Sequence, residues 1–164
     1  MKLTFRALRL IALALWVGGI VFFLAVANVA FKSMPDTHLA GIIVRGSLIA
    51  LHRIGLFAGA IYLFFTLALL ATHDSHPVRA AEMALIISMM ALTLYLQQSV
   101  LPHMETDRLT LGGDVQATSP DLPAHKHFDR LHTLSTRIEG AILLEGLVLL
   151  CLAPIHGHEF HRLG

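Results

Sequence analysis

FDRLHTLSTRIEGAILLEGLVLL, Phe128 to Leu150, is apolar enough to lie in a bilayer and yet carries Arg130, His132, Ser135, Arg137, Glu139 and Glu145. A soluble helix can show such groups to water. A membrane helix cannot, because an ionisable side chain in hydrocarbon is costly and turns toward a bundle interior or a wet cavity. The segment therefore requires partner helices. At 3.6 residues per turn His132, Ser135 and Glu139 share one stripe, whereas Arg137 and Glu145 point elsewhere. That stripe is the first candidate site.

The rest of the chain supplies the partners. Of 164 residues, 55% are apolar and 14% charged, and the apolar residues come in long blocks, the pattern of an integral membrane protein. A net charge of +1 without a clustered basic face argues against nucleic acid as a partner. The single cysteine, Cys151, excludes an internal disulfide; set among Leu149, Leu150 and Leu152, it reads as a small packing residue.

In chain order, Lys2, Arg6 and Arg9 precede an apolar run to Phe31, and a helix is expected over residues 8–31. Ala25 and Ala27 form an A-x-A pattern that a signal-peptide cleavage site would share, but the apolar run continues past it. Pro35-Asp36 reads as a stop followed by an N-cap, starting a second helix over 37–71 that carries His52 and Arg53. The turn from Thr72 to Arg79 leads into a third helix over 77–106, with Gln97 and Gln98 near its far end and Pro102 as a kink. Residues 109–122, rich in Gly and Pro, form the linker to a fourth helix over 123–153 and a histidine-rich tail over 155–164.

The fold expected is an all-α integral membrane protein, a single antiparallel four-helix transmembrane bundle with both termini on one side. Basic residues nearly balance across the two sides, so the first helix decides orientation: Lys2, Arg6 and Arg9 place the termini in the cytoplasm, with the protein in a bacterial inner membrane.

An up-down order brings the start of helix 2, the end of helix 3 and the start of helix 4 to one level, so His52, Gln98, His103, His132 and Glu139 are expected to converge. Imidazoles from facing helices suit haem iron or a transition metal. His52 with His132 would serve haem b; those two with Glu139 or His103 would serve copper, zinc or iron. The competing reading is that these groups only tie helices together. Arg53 and Arg137 are expected to pair with Glu139 and Glu145 or to snorkel, with Ser135 and Gln98 as supporting polar groups. His156, His158 and His161 in the tail form a possible surface metal site. Ser135, His132 and Glu139 have the residue types of a catalytic triad, but they lie on a single helix stripe without an oxyanion hole, so no enzyme is expected.

These residues carry a resemblance. The pattern F-x-x-L-H-x-x-S at Phe128, Leu131, His132 and Ser135, with Trp16-Val17-Gly18, Pro35, His52 and Pro102, resembles the bacterial relatives of transmembrane protein 205, a four-helix membrane family of unknown function. The layout is also similar, more weakly, to the copper-resistance D membrane proteins. The resemblance implies the four-helix fold and makes His52, His132 and Ser135 the site positions. Where the family pattern has asparagine, this chain has Glu139. Some members of the family have been connected with metal-drug resistance.

The function expected is therefore a non-enzymatic metal- or haem-binding membrane protein, handling copper or passing electrons. The alternatives are an accessory subunit of a larger respiratory or photosynthetic membrane complex, and a small metal transporter. The bilayer, other membrane subunits or further copies of the chain are the partners implied.

Overall fold

A computed structural model describes residues 2–71 and 78–153. Its elements are α1 (Lys2–Ser33), α2 (Thr37–Ala71), α3 (Val78–Tyr95), a π-helical segment (Leu96–Val100), α4 (Leu101–Thr110) and α5 (Pro123–Leu152). Every element among the described residues is helical. α3, the π segment and α4 follow one another without a break, so the described residues form four long rods.

Local chemistry sets the rod ends. Asp36 accepts hydrogen bonds at Oδ1 from the backbone N–H of His38 (2.8 Å) and Leu39 (3.4 Å), capping α2 as the sequence suggested. Pro123 opens α5, where a missing N–H costs nothing. Past α4 the chain turns through Gly112 (φ 77°) and Gly113 (φ 97°), a left-handed pair that only glycine enters without strain. α1 begins at Lys2, earlier than the sequence suggested, and runs unbroken through Ala25 and Ala27. The third rod also continues further, to Thr110, because the helix passes through Pro102. Proline removes one backbone donor, and the wide turn just before it takes up the change: the Leu101 N–H reaches back five residues to the Leu96 carbonyl.

α1 packs against α2 and α5, and α3 against α2 and α5, so α1 and α3 face each other across one diagonal of the bundle and α2 and α5 across the other. Successive rods alternate in direction: near the start of α1, Arg9 meets Thr66 late in α2, Glu82 early in α3 and the Ala153 carbonyl just after α5. Small residues let the rods close up. A Cβ on Gly55 would lie 2.3 Å from Trp16 Nε1, and one on Gly146 would lie 2.6 Å from Val17 Cγ2. Trp16, Leu13, Ile20, Ile86, Met89, Leu96, Ile142 and Leu149 fill the centre.

α1, α2 and the rod from Val78 to Thr110 are long and apolar enough to cross a membrane. Their outer faces carry large apolar side chains, among them Phe22, Phe57, Phe64 and Ile87. α5 is not among those rods, its apolar end carrying three charged residues, Arg137, Glu139 and Glu145. Cys151 lies exposed on the outer surface of α5 and does not pack inside as expected.

Candidate functional site

Two buried polar crossings occupy the ends of the bundle interior, one on each diagonal. At the end near the start of α1, Arg9 is 1% exposed and Glu82 0%. The guanidinium grips the carboxylate with both terminal nitrogens, Nη1 to Oε2 at 2.7 Å and Nη2 to Oε1 at 3.3 Å. Nη1 also reaches Thr66 Oγ1 (3.5 Å), Nη2 reaches the Ala153 carbonyl (3.4 Å), and the group lies 5.3 Å from the centre of the Tyr62 ring. One side chain of α1 thereby touches the other three rods.

Sequence reading missed this centre. Arg9 reads as a flanking charge, yet helix formation from Lys2 turns it inward. The available signal was Glu82, the one acidic residue in an apolar run from Val78 to Leu96, which marks a polar contact inside the bundle.

At the other end, His52 Nε2 and Glu139 Oε1 lie 2.5 Å apart, joining α2 to α5 through the middle of the bundle. His52 is 2% exposed and Glu139 13%. With the imidazole N–H donating to the carboxylate, Nδ1 is left with its lone pair. It is buried and has no hydrogen-bond partner among the described residues. A carboxylate on one ring nitrogen fixes the tautomer and the ring's orientation. The ring is thus able to accept a hydrogen bond at Nδ1 or provide one ligand to a metal.

Of the residues expected to converge, His52 and Glu139 meet. His132 does not join them. It lies on the exposed side of α5, its ring parallel to that of Phe128 with centres 6.3 Å apart, and Ser135 donates to its backbone carbonyl. The seven residues from His132 to Glu139 are nearly two turns of helix, close enough to share a broad stripe yet not to enter the same cavity. His103 is exposed and turned back onto the Ser99 carbonyl (2.6 Å). Gln98 is also exposed, and it is Gln97 whose amide oxygen is buried. The π segment falls on these residues and shifts which of them faces inward.

The expected arginine partners are replaced as well. Glu139 takes His52, Glu145 accepts from Ser88 Oγ (2.9 Å), and Arg53 and Arg137 lie exposed. Among the described residues no three histidine, cysteine or carboxylate side chains form a group that could hold a metal ion. The haem and three-ligand metal geometries drawn from the sequence therefore lack their donor set there. His156, His158 and His161 lie outside the described residues.

Above His52 the rods continue into a polar cap. Glu105 is held by Arg108 through two bonds (2.8 and 2.9 Å) and approaches Arg45 at 3.4 Å. His38 and Arg108 both meet the Gly113 carbonyl, and His127 pairs with Asp107 at 2.7 Å. These contacts fix the linker against the rods.

No curated protein and no solved structure matches the chain. A family model described as Domain of unknown function (DUF4149) matches residues 11–108, which takes in α1 from residue 11, α2 and α3, with His52 and Glu82 inside the match and Arg9 outside it. The chain belongs to that family of unknown function.

Proposed function

We propose that the chain is a four-span, non-catalytic membrane protein whose two buried polar crossings lock its helices, and that it serves as an accessory component of a larger membrane assembly. The observation that carries this is the use of the interior charges. Arg9 with Glu82 and His52 with Glu139 each close onto another helix across a diagonal. Such pairs specify one packing out of several similar ones, the role best attested for buried ionic groups.

The fourth span rests on the same contacts. Glu139 and Glu145 both bond inward, to His52 and Ser88, so from Ile138 to Leu152 α5 would present no charge to lipid. Those 15 residues cover about 22 Å of the roughly 30 Å of a hydrocarbon core, so the turns just before them, which carry Arg137, would complete the span. Support for a neighbouring subunit comes from the outer face of α5, where Arg130, His132, Thr133, Thr136 and Arg137 are exposed and Gly140 has open space in front of it. A polar face beside a small residue allows the close approach of another helix. The termini would be cytoplasmic and the membrane a bacterial inner one, by the charge of the first helix.

A second reading, a transition metal held at His52 Nδ1, is favoured by the carboxylate that orients that ring. Remaining ligands would then come from a bound molecule or a partner. Elemental analysis and an absorption spectrum of the natively purified protein separate the two readings. The accessory role predicts less than one metal per chain and co-purification with larger subunits that is weakened by Arg137→Ala. Stoichiometric metal or a haem band abolished by His52→Ala would replace it with the second.

A further inference from the structure

On the side of the bundle opposite the termini, α2 and the third rod frame an open groove of about 370 Å3, lined by Arg45, Ile49, Arg53, Gln97, Leu101, Pro102 and Glu105. Its two walls have the same spacing. Arg45, Ile49 and Arg53 recur every four residues on one face of α2, and Gln97, Leu101 and Glu105 do so across from them. Two cations thus stand about 12 Å apart along the helix axis with an apolar residue between them.

The charges are unbalanced. Glu105 is already held by Arg108 through two hydrogen bonds. Arg45 only approaches that carboxylate from its Nε, at 3.4 Å. Arg53 is exposed and makes no ion pair among the described residues. Three arginines therefore face one carboxylate. Arg53 is also the last charge of α2 before the uncharged run from Ile54 to Ala71, so the groove lies where headgroups meet hydrocarbon if α2 crosses the membrane. Directly below, Ile54 and Phe57 are exposed apolar side chains on α2. In the opposite wall the buried amide oxygen of Gln97 has no hydrogen-bond partner.

We propose that this groove binds an anionic phospholipid. Arg45 and Arg53 fork the phosphate from above and below. Ile49 and Leu101 cover the glycerol region, and an acyl chain runs down past Ile54 and Phe57. Gln97, level with Arg53, is the polar group of the opposite wall at the deep end of the groove. The inference rests on the four-span reading, which alkaline carbonate extraction of membranes tests separately.

The test is native mass spectrometry and thermal unfolding of the full chain in a neutral detergent with added phosphatidylglycerol, phosphatidylcholine or inorganic phosphate. Phosphatidylglycerol is expected to remain bound and to raise the unfolding midpoint by several degrees, with phosphatidylcholine at least tenfold weaker. Arg45→Ala with Arg53→Ala is expected to remove the preference. Lys126→Ala, an exposed cation at the start of α5, is expected to leave it intact. If the groove double variant proves aggregated, Arg53→Gln alone decides, with an expected loss of at least threefold. Equal retention of both lipids, an unchanged preference in the groove variants, or inorganic phosphate matching the effect of phosphatidylglycerol would each overturn the proposal. A chain that stays in the membrane pellet but shows no lipid preference removes the groove reading and leaves the four spans standing.

Discussion

His52 and Arg9 put unequal demands on their surroundings. Arg9 carries several donors into the interior, and Glu82, Thr66 and the Ala153 carbonyl take them. His52 meets a single partner, Glu139, and is correspondingly less demanding. Removing His52 or Glu139 leaves the other without the partner it has here, at a cost of about 3 kcal/mol or more. His52→Ala is therefore expected to lower stability by about 3 kcal/mol in a detergent unfolding titration, whereas His52→Leu with Glu139→Leu recovers most of that loss, because two apolar side chains need no partner. Arg9→Ala is expected to cost more than His52→Ala in the same titration, since Glu82 is the more deeply buried carboxylate and is left without the guanidinium that grips it. Equal stability of His52→Ala and the native chain would show that the contact is incidental.

At the scale of elements, the approach of α1 to α2 depends on Trp16 lying over Gly55 and Gly59. A methyl group on Gly55 would overlap the indole, so Gly55→Ala is expected to destabilise by about 2 kcal/mol through overpacking. Trp16 is the sole tryptophan, and its fluorescence spectrum should shift in that variant. Gly18→Ala, with open space around its Cβ, should leave the spectrum unchanged and gain slightly from helix propensity. The π segment offers another test. A π turn holds about one residue more than an α turn, so deletion of Gln98 is expected to convert Leu96–Val100 to α-helix with the flanking registers kept. That variant should remain monodisperse on gel filtration, whereas deletion of Met89, in the packed centre, should aggregate.

For the whole molecule, alternating rods place Leu3 and the linker residue Asp114 at opposite ends of the bundle. In a Cys151→Ala background, Leu3→Cys should react with a membrane-impermeant thiol reagent only after the membrane is opened, and Asp114→Cys should react in intact cells or spheroplasts. The reverse pattern would invert the orientation, and labelling of both from one side would remove the four-span reading. How much of this was legible follows from the range of each interaction. Long apolar blocks, Asp36 and Pro123 determined the helices and where α2 and α5 begin, because a backbone in an apolar setting must satisfy its hydrogen bonds within its own segment and capping acts over a few residues. Partnership acts over distance. Glu82 lies 73 residues from Arg9, and Glu139 lies 87 from His52. Which of them meet depends on how each rod is rotated about its axis, and that is set by Trp16 against glycine, by Val17 against Gly146 and by one wide turn ahead of Pro102. Composition by itself determined an all-helical chain with apolar rods of membrane-crossing length. Only the tertiary structure decided that His52 turns to Glu139 while His132 faces outward, because a helix's rotation is fixed by packing against its neighbours and not by its own residues.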